Sequence, residues 1–398
     1  MDKKIAINFA PRSDSKIRKV LFYIQDTLSY RNYFKIKTQS VFYRDRWKRN
    51  LAWPIRLFLN IPGITPLILT KLVGKVLEFI VKTAPAEKES IEYILNFKPD
   101  VLIASPCDFG FSSADLEYLR AAKKLGIPTV IPVFSWDNLT TKGLIHIKPD
   151  KLLVWNKVQS LEAQTVHNIK KEDIEITGSP FFDSWFQYSR SLSSKLKFCK
   201  KLGLNPNYPI ITYLGSSVDT AGDERWLITK IREALDKNKS LKNTQIIVRP
   251  HPHNSSFYQN FTLPNLVVYP KRGTLPDEKK ARQLFYDCLM FSLAVVGVNT
   301  SGMIDAMILN RPTIAMITKQ YSKTQDQAEH FQQLITHKAI AFIKSPDELV
   351  AYLALLLEGK DRFKENRLKF IRNFIRPKGL ERLAGEIAAN IIEKLAQQ

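Results

Sequence analysis

The sequence has no long apolar run: no window approaches the roughly 18 uninterrupted apolar residues that a membrane-crossing helix needs. The expectation is a protein that touches a membrane without spanning it. Cysteine is scarce, with three residues, Cys107, Cys199 and Cys288, too far apart for a metal knuckle and odd in number. That pattern speaks against a disulfide framework and for a reducing compartment. Acidic residues are short, 38 against 60 Lys and Arg, which leaves a formal charge of +22. Such an excess selects anionic partners: phosphorylated substrates, phospholipid headgroups or nucleic acid. There is no Gly-x-Ser-x-Gly elbow, no Walker loop and no Gly-x-Gly-x-x-Gly after the first strand, so hydrolase, NTPase and dinucleotide readings lack support. Among the histidines, only His251 and His253 stand at ligand spacing, and no Cys cluster or carboxylate motif flanks them, so no metal is expected. Internal repeats and low-complexity segments are absent as well.

With 398 residues, 44% hydrophobic and 25% charged, the chain has the composition of a soluble globular protein and the length for two domains. Residues 5–10 read as a first buried strand, cut short of a signal-peptide core by Pro11. Ile17, Val20, Leu21, Ile24 and Leu28 then mark a helix by their spacing. Strands expected at 98–106, 126–134, 149–155 and 174–180 alternate with helices at 90–97, 114–125 and 158–166, which predicts a parallel sheet. A second series runs from a strand at 208–214 through helix 224–236, strands 245–248 and 266–269, and helix 280–289 to a strand-turn-helix at 293–309. Ser345 with Pro346, Asp347 and Glu348 predicts a helix start, and residues 379–395 are amphipathic. The boundaries follow: residues 1–190 as a first domain, 191–375 as a second, and 376–398 as a terminal helix.

Between residues 31 and 75 stand ten Lys or Arg against one acid, Asp45, interleaved with Trp47, Trp53 and Phe58. Cations beside rings and aliphatic side chains suit an anionic membrane surface. A solvated face with a buried apolar side accounts for the same residues, and nucleic acid has no recognition motif to support it.

Two junctions carry the polar groups. Residues 245–254 are a β-branched run that stops at Arg249-Pro-His251-Pro, forcing the chain out of the sheet. Residues 293–309 are a strand, a polar turn and a helix, with Thr300 and Ser301 at the helix start and Gly302 allowing close approach. Orphan N–H groups there suit a phosphate, and Asp305 on the first turn suits the hydroxyls of a ribose. A plain helix cap with a dipole-complementing acid accounts for the same three residues. In the first domain, Ser135-Trp-Asp137-Asn-Leu-Thr-Thr-Lys-Gly143 follows a strand and reads either as an acceptor loop or as an Asx-type turn.

Together His251-Pro252, Thr300-Ser301, Asp305 and the Asn310-Arg-Pro-Thr-Ile-Ala315 strand resemble the C-terminal half of GT-B glycosyltransferases, CDP-glycerol glycerophosphotransferases and non-hydrolysing UDP-sugar 2-epimerases. Asp305 departs from the Glu more often found in sugar-nucleotide transferases. The resemblance implies two Rossmann-like, doubly wound parallel α/β domains facing across a cleft, with a final helix crossing back to the first. It also implies that Gly215, Ser216 and Ser217 face the donor diphosphate. The leading expectation is a metal-independent, inverting glycosyltransferase with a nucleotide-sugar donor and a glycan or lipid-linked acceptor, peripheral at the cytoplasmic face of a membrane. No cofactor beyond the donor is implied. Arg249 and His251 would stabilise departing charge; Asp137, with Asp108 and His146 behind it, would take the acceptor proton. Glycerophosphate transfer and 2-epimerisation are the alternatives inside the fold, and a non-catalytic lipid- or nucleic-acid-binding protein the alternative outside it.

Overall fold

The computed structural model describes residues 7–12, 14–34, 41–106, 109, 114–187 and 194–397. The chain divides into two compact units, residues 1–181 with 374–398, and residues 182–373.

The first unit holds a four-stranded parallel sheet in the order β1 (Leu102–Ile103), β2 (Thr129–Pro132), β3 (Lys151–Val154), β4 (Ile174–Ile176). These strands are shorter than the apolar runs around them. Pro99, Pro106, Pro128 and Pro132 bracket the first two, and proline cannot donate to a ladder. The first core gathers Leu116, Leu119, Ile131, Leu152 and Val154 with Leu28 and Val81 from the helices in front. On the other face, Val130 and Leu153 meet Ala388, Ile391 and Leu395 of helix Ala384–Ala396. The chain returns to this unit beside the turn after β4, where Gly178 adopts φ +83° and a Cβ would lie 2.8 Å from the Ile375 carbonyl. Ser179 N–H donates to that carbonyl, and Asn156 donates to the carbonyl of Phe374.

The strand expected at residues 5–10 does not form where the structure describes it. Residues 7–10 carry no strand, and Ile7 and Phe9 stand fully exposed with no neighbouring strand to pair with; residues 1–6 lie outside the described residues. Helix Lys16–Asn32 follows, capped by Ser15, whose hydroxyl oxygen accepts from Arg18 N–H. The basic segment folds into helices Val41–Asn50, Trp53–Leu59, Ile64–Leu69 and Lys71–Thr83. Trp47 and Arg31, which read as surface groups in the sequence, are buried. Trp47 is 1% exposed and donates its indole N–H to the Thr141 carbonyl, and Arg31 is buried with a guanidinium N–H on the Thr70 carbonyl. Lys35 and Lys37 lie outside the described residues.

The second unit is a six-stranded parallel sheet built from β5 (Ile210–Leu214), β6 (Gln245–Arg249), β7 (Leu266–Val268), β8 (Ala294–Gly297), β9 (Thr313–Met316) and β10 (Ala341–Ile343). Its order, β10-β9-β8-β5-β6-β7, is doubly wound: the chain proceeds outward from β5 on one side, then crosses back to β8 on the other. Every residue of β5, β6, β8 and β9 is buried, as a strand covered by helices on both faces requires. Ser345 caps helix Pro346–Leu357 through the Glu348 N–H, as its sequence predicts.

Candidate active site

In a doubly wound sheet, ligands lie outside the carboxyl ends of the strands where the winding reverses, here between β5 and β8. Three loops meet there. Gly215 N–H donates to the Arg249 carbonyl at 2.9 Å, Asn254 donates to the Ser216 carbonyl at 2.8 Å, and Asn299 N–H donates to Ser216 Oγ at 3.4 Å. Behind them sits Glu224, fully buried, accepting from Ser216 N–H at 2.8 Å and from the hydroxyls of Tyr213 and Ser216. Burial pushes its carboxyl up to about 7, opposed by the hydrogen bonds from Ser216 and Tyr213.

This arrangement corrects two expectations. Ser216 turns its amide and hydroxyl inward to Glu224 rather than toward a ligand. Gly215 is small because its own neighbour is close: a Cβ there would stand 3.3 Å from the backbone of Arg249, Pro250 and His251. Ser217 is half-buried and pairs with the Thr220 hydroxyl at 3.0 Å.

His251 is half-buried, and its Nδ1 accepts the His253 N–H at 3.2 Å. The neutral ring therefore carries its proton on Nε2 and presents a donor. Burial, then the neighbouring His253, lowers its basicity and favours that neutral form. Arg249 is buried beneath, its guanidinium 4.9 Å from the Phe285 ring centre and one N–H 3.6 Å from Cys288 Sγ.

At the β8 turn, Thr300 Oγ1 accepts Gly302 N–H at 3.3 Å, while Ser301 is exposed. A Cβ on Gly302 would come within 2.9 Å of Leu214 Cδ1 and 3.3 Å of Phe285, so this glycine seats the helix on the core. The expectation of an exposed Asp305 fails. Helix Gly302–Ile308 turns it inward, 5% exposed, where it shares a side-chain hydrogen bond with Trp185 and leaves Oδ1 unpartnered. Burial pushes its carboxyl up to about 8, with the Trp185 bond opposing. A carboxyl held inside the fold, and neutral at pH 7, does not offer the ribose an exposed acceptor.

In the first unit, Asp137 is half-buried at the start of helix Asn138–Thr141. Ser135 Oγ donates to its Oδ1 at 2.6 Å and Thr141 Oγ1 to its Oδ2 at 2.9 Å. The loop is thus a tethered turn in which each oxygen of the Asp137 carboxylate accepts a hydroxyl. His146 does not serve behind it: its Nε2 lies 3.2 Å from Ser29 Oγ, and burial, then His167, lowers its pKa to about 3. Asp108 lies outside the described residues. Among the described residues no three His, Cys, Asp or Glu side chains gather as a metal site.

Residues 137–378, more than half of the chain, match the family described as CDP-Glycerol:Poly(glycerophosphate) glycerophosphotransferase. The chain belongs to that family. Solved structures agree on the fold. The Neisseria meningitidis UDP-GlcNAc 2-epimerase bound to UDP-GlcNAc is 12% identical, with 80% of this chain and 82% of that one covered and a TM-score of 0.52. The Methanocaldococcus jannaschii UDP-GlcNAc 2-epimerase in complex with UDP-GlcNAc and UDP is 14% identical, with 80% and 81% covered and a TM-score of 0.51. MnaA of S. aureus with UDP is 13% identical, with 81% of each chain covered and a TM-score of 0.53. At such identities the likeness is one of fold, a GT-B architecture of Rossmann-like α/β domains. No curated protein matches the chain.

The stretch matched to the glycerophosphotransferase family takes in the Asp137 loop and all of the second sheet. Within it stand residues that the sequence did not single out. Glu224 reads in sequence as an acid at the start of an amphipathic helix, and its burial depends on the close approach of β5 and its loop. Asn254, Asn299 and Gln325 clamp carbonyls of the loops: Asn299 holds Thr324 at 2.7 Å, and Gln325 holds Val298 and Met316 at 2.7 and 2.9 Å. Side-chain amides bonding backbone across sequence gaps this long leave no periodic trace.

Proposed function

We propose that the chain transfers a glycerophosphate-type group, a polyol phosphate, from a cytidine-diphosphate-linked donor to a hydroxyl of a polymeric or lipid-linked acceptor. The observation that carries the reading is the family match over residues 137–378. In this step the acceptor oxygen attacks the phosphorus that bears the polyol. The bond from that phosphorus to the bridging oxygen breaks, and CMP departs with the electron pair. The acceptor proton passes to the Asp137 carboxylate. Charge growing on the phosphates is met by the His251 Nε2–H and the exposed Ser301 turn, while Arg249 adds positive potential from beneath. Glu224 and Asp305 support the loops from inside.

Sugar transfer from a UDP-linked donor is the second reading, favoured by the UDP and UDP-GlcNAc bound in the compared structures, which share only the fold. One assay separates the two: the chain is given CDP-glycerol or UDP-GlcNAc with a poly(glycerophosphate) primer. Release of CMP matched by primer growth is expected; release of UDP with sugar incorporation would overturn the assignment.

The proposal extends to an anionic membrane as the surface on which the acceptor is met. Trp53, Leu57, Phe58, Leu72, Val76 and Phe79 are exposed on helices that also expose Arg56, Lys71 and Lys75, an interleaving suited to headgroups and the lipid boundary. Among the described residues no helix is long and apolar enough to cross a membrane.

A further inference from the structure

We infer that the first unit carries a second anion site, a cavity that takes a phosphate ester with an apolar body. The cavity measures about 790 Å³, within the roughly 300–1,000 Å³ typical of small-molecule sites. It lies among the ends of helices Lys71–Thr83, Ala114–Lys124 and Lys157–His167 and the chain at 144–148. Three of these segments lead into the amino ends of β2, β3 and β4, whereas the Asp137 loop leaves the carboxyl end of β2. The parallel sheet therefore stands between the two places, and the cavity is no part of the reaction site proposed above.

Its lining includes Lys82, Arg120, Lys123, Lys124 and Lys148 against one acid, Glu78. His146 and His167 also line it but add no charge, since burial lowers them to about 3 and about 4. Lys123 is held by Asp150 at 2.9 Å and Lys148 donates to the Asn168 carbonyl, while Lys82 and Lys124 stand exposed at the rim.

Arg120 is the decisive residue. It is 6% exposed, and its Nη1 donates to the carbonyls of Val81 and Ala84 at the end of helix Lys71–Thr83. Its Nε and Nη2 have no partner. Those two N–H groups form one edge of the guanidinium, closed to solvent beside the Glu117 carboxylate, neither of whose oxygens is bonded. What Arg120 gives the cavity is a fixed, buried positive charge. Several cations around one cavity favour the doubly charged phosphate over a carboxylate. Leu28, Val81, Ile145 and Ile147 supply apolar wall that a bare phosphate would leave unused.

The same ester could come from a lipid headgroup or from a soluble organic phosphate. Calorimetry of the full chain with monomeric dihexanoyl phosphatidate, glycerol 3-phosphate and inorganic phosphate tests the site. The expected result is saturable binding of dihexanoyl phosphatidate, weakened at least about tenfold in Arg120→Gln and in the exposed pair Lys82→Gln/Lys124→Gln. Binding of CDP-glycerol should stay unchanged in the rim pair, which keeps the test informative if the Arg120 variant fails to fold. Phosphatidate vesicles bound with the same sensitivity to the rim pair would identify a lipid source; monomeric ester bound while vesicles are ignored would identify a soluble one, and glycerol 3-phosphate bound as tightly as dihexanoyl phosphatidate would overturn the apolar body. No saturation, affinity untouched by the rim substitutions, or inorganic phosphate binding as tightly as the esters would overturn the inference.

Discussion

The two sheets of this chain are built on the same parallel plan but meet solvent differently. In the second unit four strands are buried along their whole length, and the loops at their carboxyl ends are tied by Glu224, Asn254, Asn299 and Gln325. In the first unit the strands are two to four residues long, Ile103 of β1 is half exposed, and helices in front of the sheet turn apolar side chains outward. A sheet fully covered on both faces can hold a rigid anion-binding edge. A short sheet buttressed by amphipathic helices has apolar surface left over for a partner. The account therefore expects nucleotide recognition to live in the second unit, and acceptor and surface functions in the first.

Substitutions can break that division. The largest effect is expected of His251→Ala, which removes the proposed phosphate donor at the carboxyl end of β6: kcat/KM should fall about 100- to 1,000-fold and CDP-glycerol affinity should drop with it. Asp137→Asn, in the first unit, should lower turnover about 100-fold while donor affinity stays within a factor of a few. If Asp137 only tethers Ser135 and Thr141, Asn will serve nearly as well, and a near-normal rate measured beside an unchanged melting temperature would show it.

A smaller effect, on stability, follows from Glu224. Glu224→Ala leaves the Ser216 amide buried without its acceptor, at a cost of about 1–3 kcal/mol read by denaturant unfolding. Its pH dependence has a definite sign. The folded-state value of about 7 lies above the usual 4.5, so the unfolded chain gives up its proton first. The stability contributed by the neutral carboxyl is fully present below about 4.5 and is lost as pH rises toward 7. Glu224→Gln should lack that loss, so its melting temperature should gain on the wild type across this window. Asp305→Asn should behave alike between 3.8 and about 8, with donor affinity nearly unchanged because Asp305 is buried. A marked loss of donor affinity would restore Asp305 to the ribose. The smallest effect is expected at the membrane face, where Lys71→Gln or Lys75→Gln should each weaken sedimentation with anionic vesicles by about 1 kcal/mol.

Much of the second unit was legible because its apolar runs are long, β-branched and bounded by proline or glycine; β6, β8 and the helix after Ser345 fall where their residues place them. The polar groups of the site were legible by position and less so by direction. Ser216 and Asp305 stand where the sequence puts them, but point inward, since orientation is set by neighbours distant in sequence. In the first unit, prolines shortened the strands, and the charge between residues 31 and 75 obscured four helices whose amphipathic faces are not all buried. Trp47 looked interfacial because it lies among cations, yet the Thr141 carbonyl claims its indole. The buried Arg120 carries no motif at all; only the fold brings it to the cavity at the end of helix Lys71–Thr83.

The central claim, that the loops after β5, β6 and β8 bind a cytidine-diphosphate-linked donor, is tested most directly by calorimetric titration of CDP-glycerol into the wild type, His251→Ala and Asp137→Asn. The account predicts saturable binding to the wild type, tighter than that of UDP-GlcNAc, weakened at least about tenfold in His251→Ala and preserved in Asp137→Asn. Binding that ignores His251, or that prefers UDP-GlcNAc, would contradict it.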